Sequence, residues 1–453
     1  MAQSSLRRIA SFSILLTFLV FVLSLGIARE LTGRLTDAYS SAGKGWNGDT
    51  SYPEFSQYVP SRSVSAHQLA LEDPDRRAII IGDIHGMYDA LTALLEKVSY
   101  NPDKDTLIHV GDISAKGPQA GSISVLSYMT SHNITGVRGN HDQKVIEWRA
   151  WVEWMKGLGM GAGAMWLESI EAQWAAATRK SDVDEEMWVK AQRKKGTKEQ
   201  RKWWDRVPKG WKIFGDHYKI ARAMTRAEYN YLRALPLVLH VPSEHAFLVH
   251  AGLLPYDPTR SITSQRQPLA RLPVVRYDAD VESGSIPHLR NAQERAILEE
   301  VKQNNDPWVV LNMRNLLKDK TVSRKTKSGT PWSEVWNSVM PRCSGYEIEH
   351  KKDKDDLPCH PSTVIYGHAA ARGLDVKRWT IGLDSGCVYG RRLTAMVLDQ
   401  PHRHVSNITS RADGDEDEDA TPNQIPFGDD GQARLITVKC HIASTDVVGD
   451  DYR

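Results

Sequence analysis

What the chain lacks narrows it first. Neither charge is in excess: 58 Lys and Arg stand against 56 Asp and Glu, leaving +2 at pH 7. So small a net charge gives no global argument for nucleic acid, and any polyanion must be held by a local patch. There are no internal repeats, which excludes solenoids and propellers. Cysteine is scarce, four in 453 residues, too few for a scaffold built on disulfides. Beyond one N-terminal segment no apolar run is long enough to cross a bilayer.

That segment, residues 9–28 (IASFSILLTFLVFVLSLGIA), follows Arg7 and Arg8. As a helix it would be about 30 Å long, the thickness of a bilayer core. It predicts an uncleaved signal anchor with a short cytoplasmic tail, residues 1–8, and the rest of the chain lumenal. The alternative is a cleaved signal peptide, with Gly26 and Ala28 before the cut. Asn133-Ile134-Thr135 and Asn407-Ile408-Thr409 are glycosylation sequons, meaningful only in such a lumen. Cys343 and Cys359 bracket a polar loop and are a candidate disulfide there; Cys387 and Cys440 stay unassigned.

Length would allow about three domains. Five motifs argue for one, since they run from residue 82 to 368 and must converge. They are Gly82-Asp83-Ile84-His85-Gly86, Gly111-Asp112-Ile113-Ser114-Ala115-Lys116-Gly117-Pro118, Gly139-Asn140-His141-Asp142, His250-Ala251-Gly252 and Gly367-His368. Each follows a short apolar, β-branched run that reads as a strand. Strands are expected at 77–81, 106–110, 134–138 and 246–249, with helices at 87–98 and 123–129 between the first three. That alternation implies a parallel α/β sheet. Residues 363–366, 379–383, 393–398 and 435–439 read as strands of a second sheet. Residues 29–75 read as linker, 76–445 as the domain, 253–310 as loop-rich, and about 411–432 as an acidic loop.

Between about 146 and 225 the character changes. Trp148, Trp151, Trp154, Trp166 and Trp174 punctuate helical stretches, then a Lys/Arg-rich segment follows (KAQRKKGTKEQRKWWDRVPKGWK). One reading is a helical cap with packed tryptophans and solvated lysines. The other adds a basic face that guides a polyanion toward the motifs.

The motifs supply Asp, His and Asn ligands for two adjacent divalent metals. Asp83 and His85 lie two apart, and on an extended segment would leave on one side. Asp112 can bridge both metals, and Asn140, His250 and His368 complete the second. A mixed N/O set suits zinc, manganese or iron better than calcium. Paired metals are the usual apparatus for hydrolysing phosphate esters and anhydrides. His141 is the natural general acid for the leaving oxygen, with Asp142 orienting it. Lys116 and Arg314 are candidates to hold phosphoryl oxygens, and Arg372 a third.

In these motifs the chain resembles the PPP superfamily of metallophosphatases over roughly 76–145, 230–256 and 306–400. The resemblance implies an α/β, calcineurin-like αββα sandwich. Here it would carry an N-terminal transmembrane helix and a Trp-rich helical insertion. By the superfamily's pattern Asp83, His85, Asp112, Asn140, His250 and His368 are the metal ligands and His141 the acid. Zinc, manganese, cobalt and magnesium all occur in it. The second motif departs from that of Ser/Thr phosphatases, Gly-Asp-x-Val-Asp-Arg-Gly. Ala115 stands where an Asp would pair with the catalytic His, and Lys116 where an Arg would bind phosphate. Ala115, Pro118 and residues 382–390 (GLDSGCVYG) look like the bacterial diadenosine tetraphosphatase branch. With the anchor, the Trp-rich insertion and residues 357–374, the chain resembles fungal vacuolar, zinc-dependent endopolyphosphatases. That likeness implies a single-pass type II vacuolar membrane protein acting on inorganic polyphosphate. Rival readings are a lumenal Ser/Thr protein phosphatase, a dinucleoside tetraphosphate hydrolase, and a tethered, non-catalytic polyphosphate-binding protein.

Overall fold

The computed structural model describes residues 54–69, 75–180, 182–274, 285–347, 355–399 and 424–441, besides Tyr52 and Asp73. The apolar segment 9–28, the sequon at Asn407 and most of the acidic loop lie outside the described residues. Among the described residues no helix is long and apolar enough to cross a membrane.

Numbered along the chain, the strands are β1 Val59–Ser63, β2 Arg77–Ile81, β3 Asp105–His109, β4 Thr135–Gly136, β5 Pro236–Val241, β6 Ala246–Val249, β7 Asn315–Leu316, β8 Val322–Ser323, β9 Thr330–Pro331, β10 Thr363–Tyr366, β11 Asp375–Lys377, β12 Thr380–Gly382, β13 Arg392–Asp399, β14 Gln424–Phe427 and β15 Gly431–Lys439. They form two six-stranded mixed sheets, in the orders β14-β15-β13-β2-β3-β4 and β1-β5-β6-β10-β12-β11, and a small sheet β8-β7-β9.

The two large sheets face each other. Ile80, Ile108, Val110 and Met396 of one pack with Leu239, Leu248, Ile365 and Ile381 of the other in a single apolar cluster. Each such side chain contributes about 1.5–3 kcal/mol by leaving water. The alternate residues Phe247, Val249 and Val364 point the other way, onto Ile297, Val310 and Trp336 of the outer helices. Strands covered on both faces read as continuous apolar runs, which is why they stood out in the sequence. On the far side the helices Tyr88–Lys97 and Gln119–Ser131 bury Leu91, Leu94, Val125 and Met129. The layers are therefore helix, sheet, sheet, helix.

Register sets where the motifs emerge. Parallel β2 and β3 pair Ile81 with His109, so Asp83 and Asp112 leave the sheet at one level. Parallel β6 and β10 pair Val249 with Tyr366, which does the same for His250 and His368.

Several expectations need correction. The four late strands do not share a sheet: β10 and β12 join one, whereas β13 and β15 join the other. The cause is pairing, because β13 runs antiparallel against β2 with Ala395 opposite Ile81. Residues 59–63, read as linker, form β1 and pair with β5, Ser61 opposite Val238. That strand is polar and mostly exposed, so it carried no apolar signal. Residues 253–310 hold the helices Ile286–Glu300 and Pro307–Asn312. The first buries Arg290, Gln293 and Glu294 beside Ile297 and Leu298, a polar inward face that hides amphipathicity. Residues 424–432, read as acidic loop, hold β14 and the start of β15. Cys343 is bridged to Cys359, and Cys387 to Cys440. The second pair joins separate elements 53 residues apart, so spacing could not reveal it.

The segment 146–225 is helical, as expected: Asn140–Gly157, Ala162–Thr178, Glu185–Lys195, Lys198–Trp204 and Asp216–Ala223. Its tryptophans pack chiefly on other aromatics of the segment. Trp148 meets Trp151 at 5.2 Å, Trp166 meets Trp204 at 5.1 Å, and Trp174 stacks on Phe214 at 4.9 Å. Lys190, Lys194, Lys195, Lys198, Arg201 and Lys202 face solvent.

Candidate metal centre

Where β2, β3, β6 and β10 end, two groups of ligand atoms converge. Asp83, His85 and Asp112 form one, Asp112, His250 and His368 the other; within each group the atoms lie within 4.8 Å of one another. All five residues are buried and Asp112 is common to both groups. Oδ1 of Asn140 lies 3.0 Å from Nε2 of His250 and 2.9 Å from Nδ1 of His368. The structure thus brings together all six residues read as ligands.

The backbone that aims them is unusual. His85, Asp112 and His368 have φ of 49°, 50° and 68°, the left-handed region. Each such residue costs roughly 1–3 kcal/mol and persists only when its surroundings hold it there. Asp83 and His85 therefore converge through a left-handed turn, not through the extended alternation expected from their spacing. Gly367 is needed for space: a Cβ there would stand 2.0 Å from Oδ1 of Asp83.

The donor set fits divalent cations. Nδ1 of His250 donates to the Val110 carbonyl at 2.9 Å, so the neutral ring presents only a lone pair at Nε2. That lone pair faces Oδ1 of Asn140, and Oδ2 of Asp112 at 3.3 Å. Imidazole nitrogens and amide and carboxylate oxygens at such short range are what a divalent ion draws together. Without an ion the groups titrate apart: burial would lower His250, but the Asp112 carboxylate outweighs it and raises that imidazole. Burial, then the carboxylates of Asp384 and Asp112, pushes Asp83 well up. Burial pushes His85 and His368 down. Burial would raise Asp112 too, but the neighbouring imidazoles, His250 foremost, hold it well below the usual carboxylate range.

His141 is half-buried in the first turn of the helix Asn140–Gly157, and its backbone N–H donates to Oδ1 of Asp112 at 2.9 Å. Asp142 does not orient it. Its carboxylate accepts from Gly139 N–H at 3.0 Å and from Ser114 Oγ at 3.1 Å, capping the helix. Burial and the Asp112 charge lift Asp142 to about 6. The partner of His141 is His217, from the inserted helix Asp216–Ala223, with Nδ1 and Nε2 2.8 Å apart. Sequence reading missed His217, because its only local signal was proximity to a solvated charge run. It also missed Asp384, a buried carboxyl whose charge bears on both Asp83 and His85.

Lys116 follows Ala115, both left-handed at φ 65° and 69°. Its charge acts on Asp83, His85, His141 and His368 alike, and its Nζ donates to Tyr389 Oη at 3.3 Å. Arg314 is buried and donates to the His368 carbonyl at 3.1 Å. Arg372 braces that segment, donating to the Arg314 carbonyl at 2.9 Å and to Asn315 Oδ1 at 2.7 Å. Asn133 is exposed, with φ 47°, between a helix and β4.

Comparison with known proteins gives the family. Over 69 residues the chain is 51% identical to the symmetrical bis(5'-nucleosyl)-tetraphosphatases of Salmonella typhimurium and Salmonella typhi. That stretch is 15% of this chain and spans only 24% of the length of those relatives. A solved structure provisionally named a diadenosine tetraphosphatase is 24% identical, with a TM-score of 0.38 over 75% of this chain and 94% of its own. The profile of calcineurin-like phosphoesterases matches residues 76–368, the span that holds every ligand above. The chain belongs to the calcineurin-like phosphoesterase family of metal-dependent hydrolases.

Proposed function

We propose that the protein cleaves internal phosphoanhydride bonds of inorganic polyphosphate, as a lumenal enzyme anchored by residues 9–28. The observation that carries hydrolysis is the pair of ligand groups sharing Asp112, with His141 beside them. The exposed lysines of the insertion support a long polyanion over a small ester. Asp83, His85, Asp112, Asn140, His250 and His368 would hold two divalent ions, zinc foremost. Bound there, such ions supply Lewis acidity and make water nucleophilic near neutral pH. Lys116 and Arg314 neutralise charge on the phosphoryl oxygens; Lys116 does so as a point charge rather than a bidentate fork. His141 protonates the leaving oxygen. The sequon at exposed Asn133 and the two disulfides suit an oxidising lumen, for which we favour the vacuole.

The local identity to symmetrical bis(5'-nucleosyl)-tetraphosphatases favours one second reading, hydrolysis of dinucleoside polyphosphates. Both are tested together on the full chain in detergent, beside Asp112→Asn. Each is incubated with long-chain polyphosphate under zinc, manganese, cobalt or magnesium, and the products are resolved on a gel. A shortening ladder in the wild type alone is the expected result. Intact polymer under every metal, with diadenosine tetraphosphate cleaved, overturns the polyphosphate assignment in favour of the second.

A further inference from the structure

We propose that the helical insertion supplies a positioning pair, His217 and Asp216, that fixes the orientation and tautomer of His141 for proton delivery. The inference rests on the reading of His141 as the acid and says how that residue is set.

Three contacts in series carry it. Nδ1 of His141 meets Nε2 of His217 at 2.8 Å. The rings are 14° from coplanar with centroids 5.0 Å apart. A head-on contact of that length between two five-membered rings accounts for the whole separation, so the rings are hydrogen-bonded edge to edge, not stacked face to face. Beyond it, Nδ1 of His217 lies 2.7 Å from Oδ1 of Asp216. The same oxygen accepts the His217 backbone N–H at 2.7 Å. The other carboxylate oxygen accepts the Lys116 backbone N–H at 2.8 Å.

The chemistry of the chain of contacts follows. A carboxylate only accepts, so Nδ1 of His217 carries its proton. In that tautomer Nε2 of His217 is a lone pair, and it accepts from Nδ1–H of His141. That leaves Nε2 of His141 to hold the transferable proton. In the transfer a water oxygen bonds to phosphorus as the P–O bond breaks, the electron pair of that bond goes to the leaving oxygen, and this proton moves there from His141. His141 ends neutral, its Nδ1–H still held by His217, and regains a proton from water.

Among the described residues, neither neighbour in a position to do so supplies this support. Asp142 is committed to Gly139 and Ser114, and residue 115, fully buried in the adjoining loop, is an alanine. The insertion, meanwhile, holds the pair rigidly. Arg149 donates to the Ala221 carbonyl at 3.1 Å, Arg222 grips Glu171 at 2.6 and 2.8 Å, and Trp148 packs on Tyr218 at 5.1 Å. Asp216 ties the same helix to the strained Ala115-Lys116 turn.

The test uses the full chain, metal-loaded, on aryl and alkyl phosphates of graded leaving-group acidity. His217→Ala, His217→Gln, Asp216→Asn and His141→Ala are compared, with metal content and melting temperature checked for each. For His217→Ala, kcat on the poorest leaving group should fall on the order of 10²-fold, with kcat on the most activated ester and KM almost unchanged. Gln, whose carbonyl can accept from His141, and added imidazole should each restore part of the loss. His217→Gln and Asp216→Asn decide the matter if the alanine variant does not fold. A steep leaving-group dependence in His141→Ala with a flat or uniform loss in the His217 variants overturns the positioning role alone. A flat response in His141→Ala overturns the acid assignment, and the positioning role with it.

Discussion

The metal centre and the helical insertion are built on opposite plans. At the centre, polar ligands sit at the ends of sheet strands, in backbone conformations that L residues resist, with charges buried at short range. The insertion is built mainly of ordinary helices joined by aromatic contacts, with left-handed Met160 in a connecting turn and its lysines left in water. The first region stores strain to place atoms, and the second spends apolar area to place one helix. Yet the second reaches into the first through two contacts of one helix, His217 on His141 and Asp216 on the Lys116 backbone. A region with no ligands of its own can therefore still belong to the site.

The comparison is broken most severely at the shared ligand. Asp112→Asn should remove several kcal/mol of transition-state stabilisation, a loss of roughly 10³-fold or more in rate. Bound metal per chain, measured on the same samples, should fall with it. Full activity with two ions retained would mean that Asp112 does not join the groups.

The insertion is broken through its packing. Trp151 is fully buried and its indole N–H donates to the Arg206 carbonyl at 2.8 Å. Trp151→Ala should cost about 3–5 kcal/mol of unfolding free energy. Trp308→Ala, at a side chain 43% exposed, should stay within about 0.5 kcal/mol. Equal denaturant midpoints for the two variants would contradict an aromatic core in the insertion.

A third test sharpens the contrast by pH. His109 accepts from Gly111 N–H at 3.2 Å and faces Tyr231 Oη at 2.9 Å. Burial lowers it to about 3 from 6.5. The unfolded chain therefore binds the proton first, so this contribution is complete above pH 6.5 and is lost as pH falls toward 3. Between pH 7 and 5 it should remove roughly 2 kcal/mol of stability. His109→Gln should flatten that slope in unfolding curves; an unchanged slope would put the acid sensitivity elsewhere.

The smallest effect is expected from the solvated face. Reversing Lys194, Lys195, Lys198 and Lys202 to Glu should raise KM for long polyphosphate several-fold at low salt, with the difference shrinking as salt is added. KM for a small phosphate ester should hardly change. Equal changes on both substrates would leave the lysines as solubilising charge.

Legibility follows the same division. The six candidate ligands were readable because metal chemistry restricts residue type, and because each one follows an apolar strand. Their convergence could be inferred, but its means could not: the turn at His85 looks extended in sequence and is left-handed in space. The layers were readable from doubly buried strands, whereas the sheet that β13 joins depends on a partner more than 300 residues earlier. The helix Ile286–Glu300 was hidden because Glu294 faces inward to hold His240 at 2.6 Å and His245 at 2.9 Å.

By itself the sequence determined the candidate ligand set, the phosphohydrolase chemistry and the existence of a Trp-rich, basic insertion. These depend on residue types and short spacings, which the chain carries locally. Only the tertiary structure decided that Asp142 caps a helix and that His217 meets His141 across 76 residues of chain. Contacts between distant segments are chosen by packing, and no local spacing encodes which side chain will arrive.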